Sequence, residues 1–285
     1  MFALFLSLLF IAPMDNEVFE VEEDNEIWLE KVEIDQYYLA YIDSIFIDEV
    51  KLELLMKNLE RALYKKPVDA QFAENNEIIP EQPGVTLDRE RFEYLFREHF
   101  YSDKKEKFRV PAGKVYAEVD SGLLKEISVR QLGSYATFYK KNNKERAHNI
   151  ALAAEAINNT VLFPGETFSF NDVVGERTTE KGYKRAPVIV RGELSEDIGG
   201  GICQVSSTLF NAVDLKGIQV IERYAHSRSV PYVPPGRDAT VSWWGPDFVF
   251  KNLYNEPILI RAKAEHGKMI VSIYSSEEAE NFTGE

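Results

Sequence analysis

The 285-residue chain contains one cysteine, and that scarcity sets the first limits. A single thiol, Cys203, cannot close an internal disulfide, so neither the fold nor the redox compartment can be read from bridges. Proline (12) and glycine (16) are sparse in a chain that is 45% hydrophobic, which excludes extended low-complexity or disordered character. Basic charge is in deficit: the net charge is −14, of which about −13 lies ahead of Arg130. Such a chain repels phosphate backbones, and nucleic acid is excluded as a partner. Paired C-x-x-C and H-x-x-x-H spacings are absent, so a metal centre built from Cys203, His226 and Asp238 has no spacing to support it, and no cofactor is expected. No G-x-S-x-G is present, which removes the serine elbow.

Long apolar runs are absent except at the N-terminus. Met1–Pro13 (MFALFLSLLFIAP) is too short to cross a bilayer and matches the apolar core of a signal peptide. Residues 1–14 are therefore read as a signal peptide or membrane-proximal segment, and an extracytoplasmic, secreted or wall-associated protein is expected. An uncleaved segment would tether the chain to the membrane. Against this reading, no Lys or Arg precedes Lys31 and no Ala-x-Ala site follows, so a buried first strand or helix is the alternative. Residues 15–35, with ten acidic side chains and one Lys, form an acidic lead-in.

The remainder contains helical and strand periodicities. Asp43–Leu63 reads as a helix, with Val50, Leu52, Leu54, Leu55, Leu59 and Leu63 on one period. Short strands are expected at Val68–Phe72, Glu77–Ile79 and Lys114–Glu118, with a helix capped by Asp88 among them. From Arg130 the pattern predicts a strand over Leu132–Phe138 and a helix over Glu145–Asn158 whose apolar face includes Ala147, Ile150, Ala151, Ala154 and Ile157. Phe163–Asp197 is turn-rich. Strands follow at Ile218–Tyr224, Ala239–Trp243, Phe248–Asn252, Ile258–Ala264 and Met269–Tyr274, the last two closed by His266-Gly267-Lys268 as a hairpin. The fold class is α+β: a small α/β unit over 36–120, an α+β domain over 130–275 with the Cys203 helix packed on an antiparallel sheet, and a tail over 276–285.

The chemistry concentrates in GGGICQVSSTLF, Gly199–Phe210. The glycine triplet allows positive φ and close approach of backbone to substrate. Val205, Leu209, Ala212 and Val213 then mark an amphipathic helix that stops at Gly217. Cys203 falls in its first turn, where free N–H groups and the positive dipole end favour thiolate and can hold an oxyanion. His226 is 23 residues on and Asp238 a further 12. Cys203 as nucleophile, His226 as base and then acid, and Asp238 as orienter make the order of a cysteine acyl-transfer site, with His and Asp expected on successive strands. Gly200, Gly201 and Gln204 are candidates for backbone approach and oxyanion contact. Ser206, Arg177, Tyr183 and Trp243 are candidates for substrate contact. The competing reading keeps Cys203 as core, His226 as a satisfied buried imidazole and Asp238 as a turn cap.

Two resemblances bear on these residues. KKPVDAQFAENNEIIPEQPGVTLDRERFEYLF, within residues 24–120, resembles a peptidoglycan-binding-like domain that often precedes cell-wall enzymes. RAHNIALAAEAINNTVLFPGETFSFNDVVGERTTEKGY, GGGICQVSSTLFNAV, AHSRSVPYVPPGRDATV and DFVFKN, in that order, resemble the VanW domain, named for an accessory protein of vancomycin-resistance clusters. The order and texture of Cys203, His226 and Asp238 also resemble transglutaminase-like and papain-like enzymes. The VanW resemblance implies an envelope protein with peptidoglycan or its stem peptides as partner. It leaves three readings open: an enzyme acting by Cys203, a non-catalytic wall-binding module, and a scaffold tethered by its N-terminus.

Overall fold

The computed structural model of the chain describes residues 27–29, 34–39, 46–102, 107–190 and 193–280. The apolar segment 1–14, most of the acidic lead-in, the first residues of the helix expected from Asp43 and the end of the tail lie outside the described residues. Among those described, no helix is long and apolar enough to cross a membrane. The chain divides into two compact units, one of residues 1–68 with 82–117 and the other of 69–81 with 118–285.

The first unit pairs β1 (Trp28–Leu29) with β5 (Phe108–Arg109), and β4 (Gly84–Leu87) with β6 (Ala112–Val115), all antiparallel. Its helices are α1 (Glu49–Leu63) and α2 (Arg89–Phe100). Both begin at an aspartate N-cap: Asp48 accepts from the Val50 and Lys51 amides, and Asp88 from that of Arg91. The buried face of α1 is Leu52, Leu55, Met56, Leu59 and Leu63. Val50 and Leu54, assigned to that face from spacing, are 80% and 57% exposed, and Met56 takes their place.

In the second unit β2 (Gln71–Phe72) and β3 (Ile78–Ile79) form a hairpin that belongs with the later part of the chain. Asn159 receives the Phe72 amide at 3.2 Å and returns a bond to its carbonyl at 2.9 Å, and Arg261 lies 4.3 Å over the Phe72 ring. A short helix α3 (Ser121–Glu126) leads to the main sheet, ordered β7-β15-β14-β8 and antiparallel throughout. Its strands are β7 (Arg130–Phe138), β8 (Thr160–Leu162), β14 (Ile258–Glu265) and β15 (Lys268–Ser275). The expected hairpin is present, turning through His266 (φ 53) and Gly267 (φ 85). A second sheet is ordered β12-β13-β9, from β9 (Thr167–Ser169), β12 (Ile218–Glu222) and β13 (Val249–Asn252). The turn-rich stretch also holds a short helix α5 (Phe170–Val174) and a hairpin of β10 (Arg185–Val190) and β11 (Glu193–Ile198) that the polar sequence had hidden.

Two helices fill the core of this unit. α4 (Lys144–Ile157) packs on β14, and α6 (Ile202–Ala212) packs on β7, β15 and α4. Phe210 of α6 meets Phe248 edge-on at 5.7 Å, beside the stacked Phe168–Phe250 pair at 4.9 Å. α6 is not amphipathic as expected: nine of its eleven residues are buried, including Ser206, Ser207 and Thr208. The exceptions are Cys203 and Asn211. The architecture is α+β, with a buried helix against an antiparallel sheet.

Candidate functional site

The turn into α6 is made by Gly199, Gly200 and Gly201, of which the first and last have φ of 84° and 115°. Only glycine adopts these values without strain. A Cβ on Gly199 would lie 3.1 Å from the Arg177 Cβ, and one on Gly201 would lie 3.0 Å from Arg146 Cγ and Ile150 Cγ1. One on Gly200 would meet the Ala186 carbonyl oxygen at 2.5 Å. The space the triplet leaves is thus filled by two arginine stems and strand β10, rather than left for substrate as expected of Gly200 and Gly201. Asn149, fully buried on α4, pins the turn: its amide donates to the carbonyls of Lys184 (2.8 Å) and Gly200 (3.0 Å) and accepts from the Lys184 amide (2.8 Å).

This turn puts Cys203 at the second position of α6, half-buried, its Sγ 3.4 Å from the Val241 carbonyl oxygen. The other two members come from one loop, not from strands as expected. An isolated antiparallel bridge pairs Tyr224 with Thr240, closed by a 2.7 Å bond from the Thr240 amide. Antiparallel register carries two residues inward on each arm, so His226 faces Asp238, which is why a spacing of twelve works. Arg223 ties the same loop by donating to the carbonyls of Gly236 (2.9 Å) and Asp238 (3.0 Å). Asp238 Oδ2 accepts from both the His226 amide and its Nδ1, each at 2.6 Å, with both side chains under 10% exposed. That bond fixes the imidazole with Nδ1 protonated and leaves Nε2 as the second titrating nitrogen.

Electrostatics follow from this arrangement. Burial would push the Cys203 thiol up, but a hydrogen bond with the His226 imidazole and the charges of His226 and Arg177 hold it below the ordinary thiol value. Burial alone would lower His226; the Cys203 and Asp238 partners raise it. Burial likewise opposes the Asp238 carboxylate, and its bonds from His226 bring its pKa below the usual range. All three shifts favour a thiolate–imidazolium pair beside a carboxylate, titrating as one coupled system. Among the described residues no group of His, Cys, Asp and Glu could hold a metal ion.

Of the other candidates, Gln204 is 1% exposed and wholly committed inside the fold. Its Nε2 donates to Thr137 Oγ1 and the Phe138 carbonyl, both at 3.0 Å, and its Oε1 accepts from Arg146 Nη2 at 3.0 Å. With both donors used, it cannot give the oxyanion contact expected of it. Ser206 is buried and donates to the Ala239 carbonyl at 2.6 Å, and Tyr183 is buried in the core, so neither faces a substrate. Trp243 is half-buried, 6.0 Å from the ring of Trp244, which is 86% exposed. Arg177 donates from Nη2 to Asn171 Oδ1 at 2.8 Å, and its charge reaches Cys203. Arg146, Asn149, Asn171 and Tyr232 escaped the sequence reading. The Tyr232 hydroxyl is held protonated by burial and by the neighbouring Cys203. The polar residues on the inner face of α4, at helical spacing, were the available signal for Arg146 and Asn149.

The family model described as VanW like protein matches residues 145–274. The chain is 55% identical over 231 residues to YoaR of Bacillus subtilis (strain 168), covering 81% of this chain and 76% of that one. It is 28% identical over 145 residues to the vancomycin B-type resistance protein VanW of Enterococcus faecalis (strain ATCC 700802 / V583), covering 49% and 52% of the two chains. No solved structure matches. Cys203, His226 and Asp238 all lie within the matched segment, and the chain belongs to the VanW family.

Proposed function

We propose that this is a cell-envelope protein whose VanW domain performs thiol-based acyl transfer or amide hydrolysis on peptidoglycan stem peptides. One observation carries the reading: Cys203 is one of only two residues of α6 that are not fully buried, and it lies beside an imidazole oriented by Asp238 at 2.6 Å. A cysteine kept only for packing would be enclosed like its neighbours on the helix. In the proposed cycle the Cys203 thiolate attacks the scissile carbonyl carbon. The His226 imidazolium then gives its proton to the departing amine, leaving a thioester. Water or an acceptor amine, deprotonated by His226, attacks that thioester and frees the thiolate. The Cys203 amide, at the start of α6 where helix N–H groups lack carbonyl partners, is placed to meet the oxyanion.

The substrate class and extracytoplasmic setting rest on family membership, on the resistance named for the Enterococcus relative and on the apolar N-terminal segment. The unit before the VanW domain would bind peptidoglycan, in keeping with its resemblance to wall-binding domains. The rate of Cys203 alkylation by iodoacetamide from pH 4 to 10, in the native protein and in His226→Ala, tests the site. An apparent thiol pKa well below ~8.5 that rises when His226 is removed is expected. Incubation with purified muropeptides, read by mass spectrometry, should then show products that Cys203→Ala abolishes without unfolding.

A binding module with a structural thiol is favoured by a different observation: Ser206 and Ser207 both bond the Cys203 carbonyl, so the first turn of α6 is also a satisfied polar core. On that reading Cys203→Ala destabilises the fold, and the native thiol reacts only after unfolding.

A further inference from the structure

In a chain with 47 acidic and 33 basic residues, two half-buried arginines beside the thiol have no carboxylate partner among the described residues. On α2 the more exposed Arg89 and Arg97 each pair with two glutamates. Arg146 and Arg177 instead bond only neutral oxygens: Arg146 to Gln204 and Pro187, Arg177 to Asn171. Arg177 Nη1 is out of contact with water and has no hydrogen-bond partner in the protein. A buried charged donor without an acceptor is costly, and a ligand that accepts from it is one way a native protein accounts for such a group.

The guanidinium is held in place from three sides. Its stem crosses Gly199, Nη2 is anchored to Asn171, and the cation lies 5.7 Å from the Phe170 ring centroid. Asn171 is itself bonded to the carbonyls of Ser242 (3.0 Å) and Pro246 (3.3 Å), in the loop that follows Val241, the Cys203 partner. Asp247 is a carboxylate whose charge acts on Arg177, but its oxygens accept from the amides of Asn171 and Phe248 and from the Ser169 hydroxyl.

We infer that Arg177, supported by Arg146, is an anion-recognition residue, and that the acyl donor attacked by Cys203 carries a carboxylate next to the scissile bond. The inference rests on the acyl-transfer reading above and adds the charge of the substrate to it. A guanidinium offers two parallel N–H donors that match a carboxylate, so with Nη2 anchored the free Nη1 selects the anion's position.

Iodoacetate and iodoacetamide test this on the intact protein, because each alkylates the thiolate with loss of iodide and they differ only in a carboxylate against an amide. The ratio of their rates at Cys203 is expected to be high and saturable in iodoacetate, with protection by millimolar acetate. Arg177→Gln should lower that ratio by about tenfold or more, and Arg177→Lys should restore part of it. Because both rates are read on the same thiol, a variant that merely loosens the fold changes them together and leaves the ratio unmoved. A ratio that Arg177→Gln does not change overturns the anion site alone. A folded native protein whose Cys203 resists both reagents overturns the acyl-transfer reading and this inference with it.

Discussion

Asp238 accepts two hydrogen bonds from His226 through one oxygen, and that geometry makes it the residue whose loss is most informative. In Asp238→Asn the amide can no longer stabilise the imidazolium, and the Cys203 thiol returns toward its ordinary value. Alkylation at pH 6 should fall by at least about tenfold, the effect of one pKa unit on the thiolate fraction. The stability effect has a defined sign. Asp238 ionises below the usual carboxylate range in the fold, so its contribution is present above the unfolded value of ~3.9 and is lost as pH falls through the lower folded value. Urea unfolding of native and Asp238→Asn proteins should therefore differ at pH 6 and converge as the pH drops toward 3. Gln204 makes a contrasting prediction. Removing a buried amide that satisfies three groups should cost about 2 kcal/mol or more in Gln204→Ala, seen as a lower urea midpoint. A residue that only contacted an oxyanion would change rate and leave stability alone.

At the level of elements, the glycine turn is a packing device that places the Cys203 helix. Gly201 combines a φ of 115° with Arg146 and Ile150 pressed to within 3.0 Å of its missing side chain. Gly201→Ala should cost about 2 kcal/mol from the backbone conformation alone, and it should displace the start of α6. The check is a thermal melt together with the Cys203 alkylation rate, both expected to fall. Asn149→Ala should slow alkylation by the same route, since it frees the Gly200 carbonyl from α4 while leaving Cys203, His226 and Asp238 untouched. The helix itself was legible because Val205 and Leu209 recur at its period and Gly201 precedes it. The burial of its polar face was not, because Ser206, Ser207 and Thr208 read as solvated until their hydroxyls are seen bonded to backbone carbonyls.

For the whole molecule, the division of the chain does not follow sequence order. The hairpin of residues 69–81 is separated from the rest of its unit by 36 residues of the other, yet Ala70 joins Val119, Leu124, Ile127 and Leu259 in one buried cluster. A chain starting at Glu118 should therefore be less stable than one in which 69–81 is retained through a short linker, by about 2 kcal/mol or more for the apolar surface exposed. Denaturant midpoints of the two would decide it. The chain alone carries much of the local structure: the aspartate cap on α2, the His266-Gly267 hairpin, and the position of Cys203 at a helix start. These depend on neighbours a few residues apart, and their signals are local. It also determined the three residues of the candidate site, through their order and spacing. What depends on folding is that His226 and Asp238 face each other across one bridge, that Gln204 is inward, that the glycines make room for Arg146 and Arg177, and that an early hairpin completes the later unit. Each of these rests on contacts between distant segments, where burial and the need to satisfy every enclosed polar group select the partner, and no periodicity in the chain records that choice.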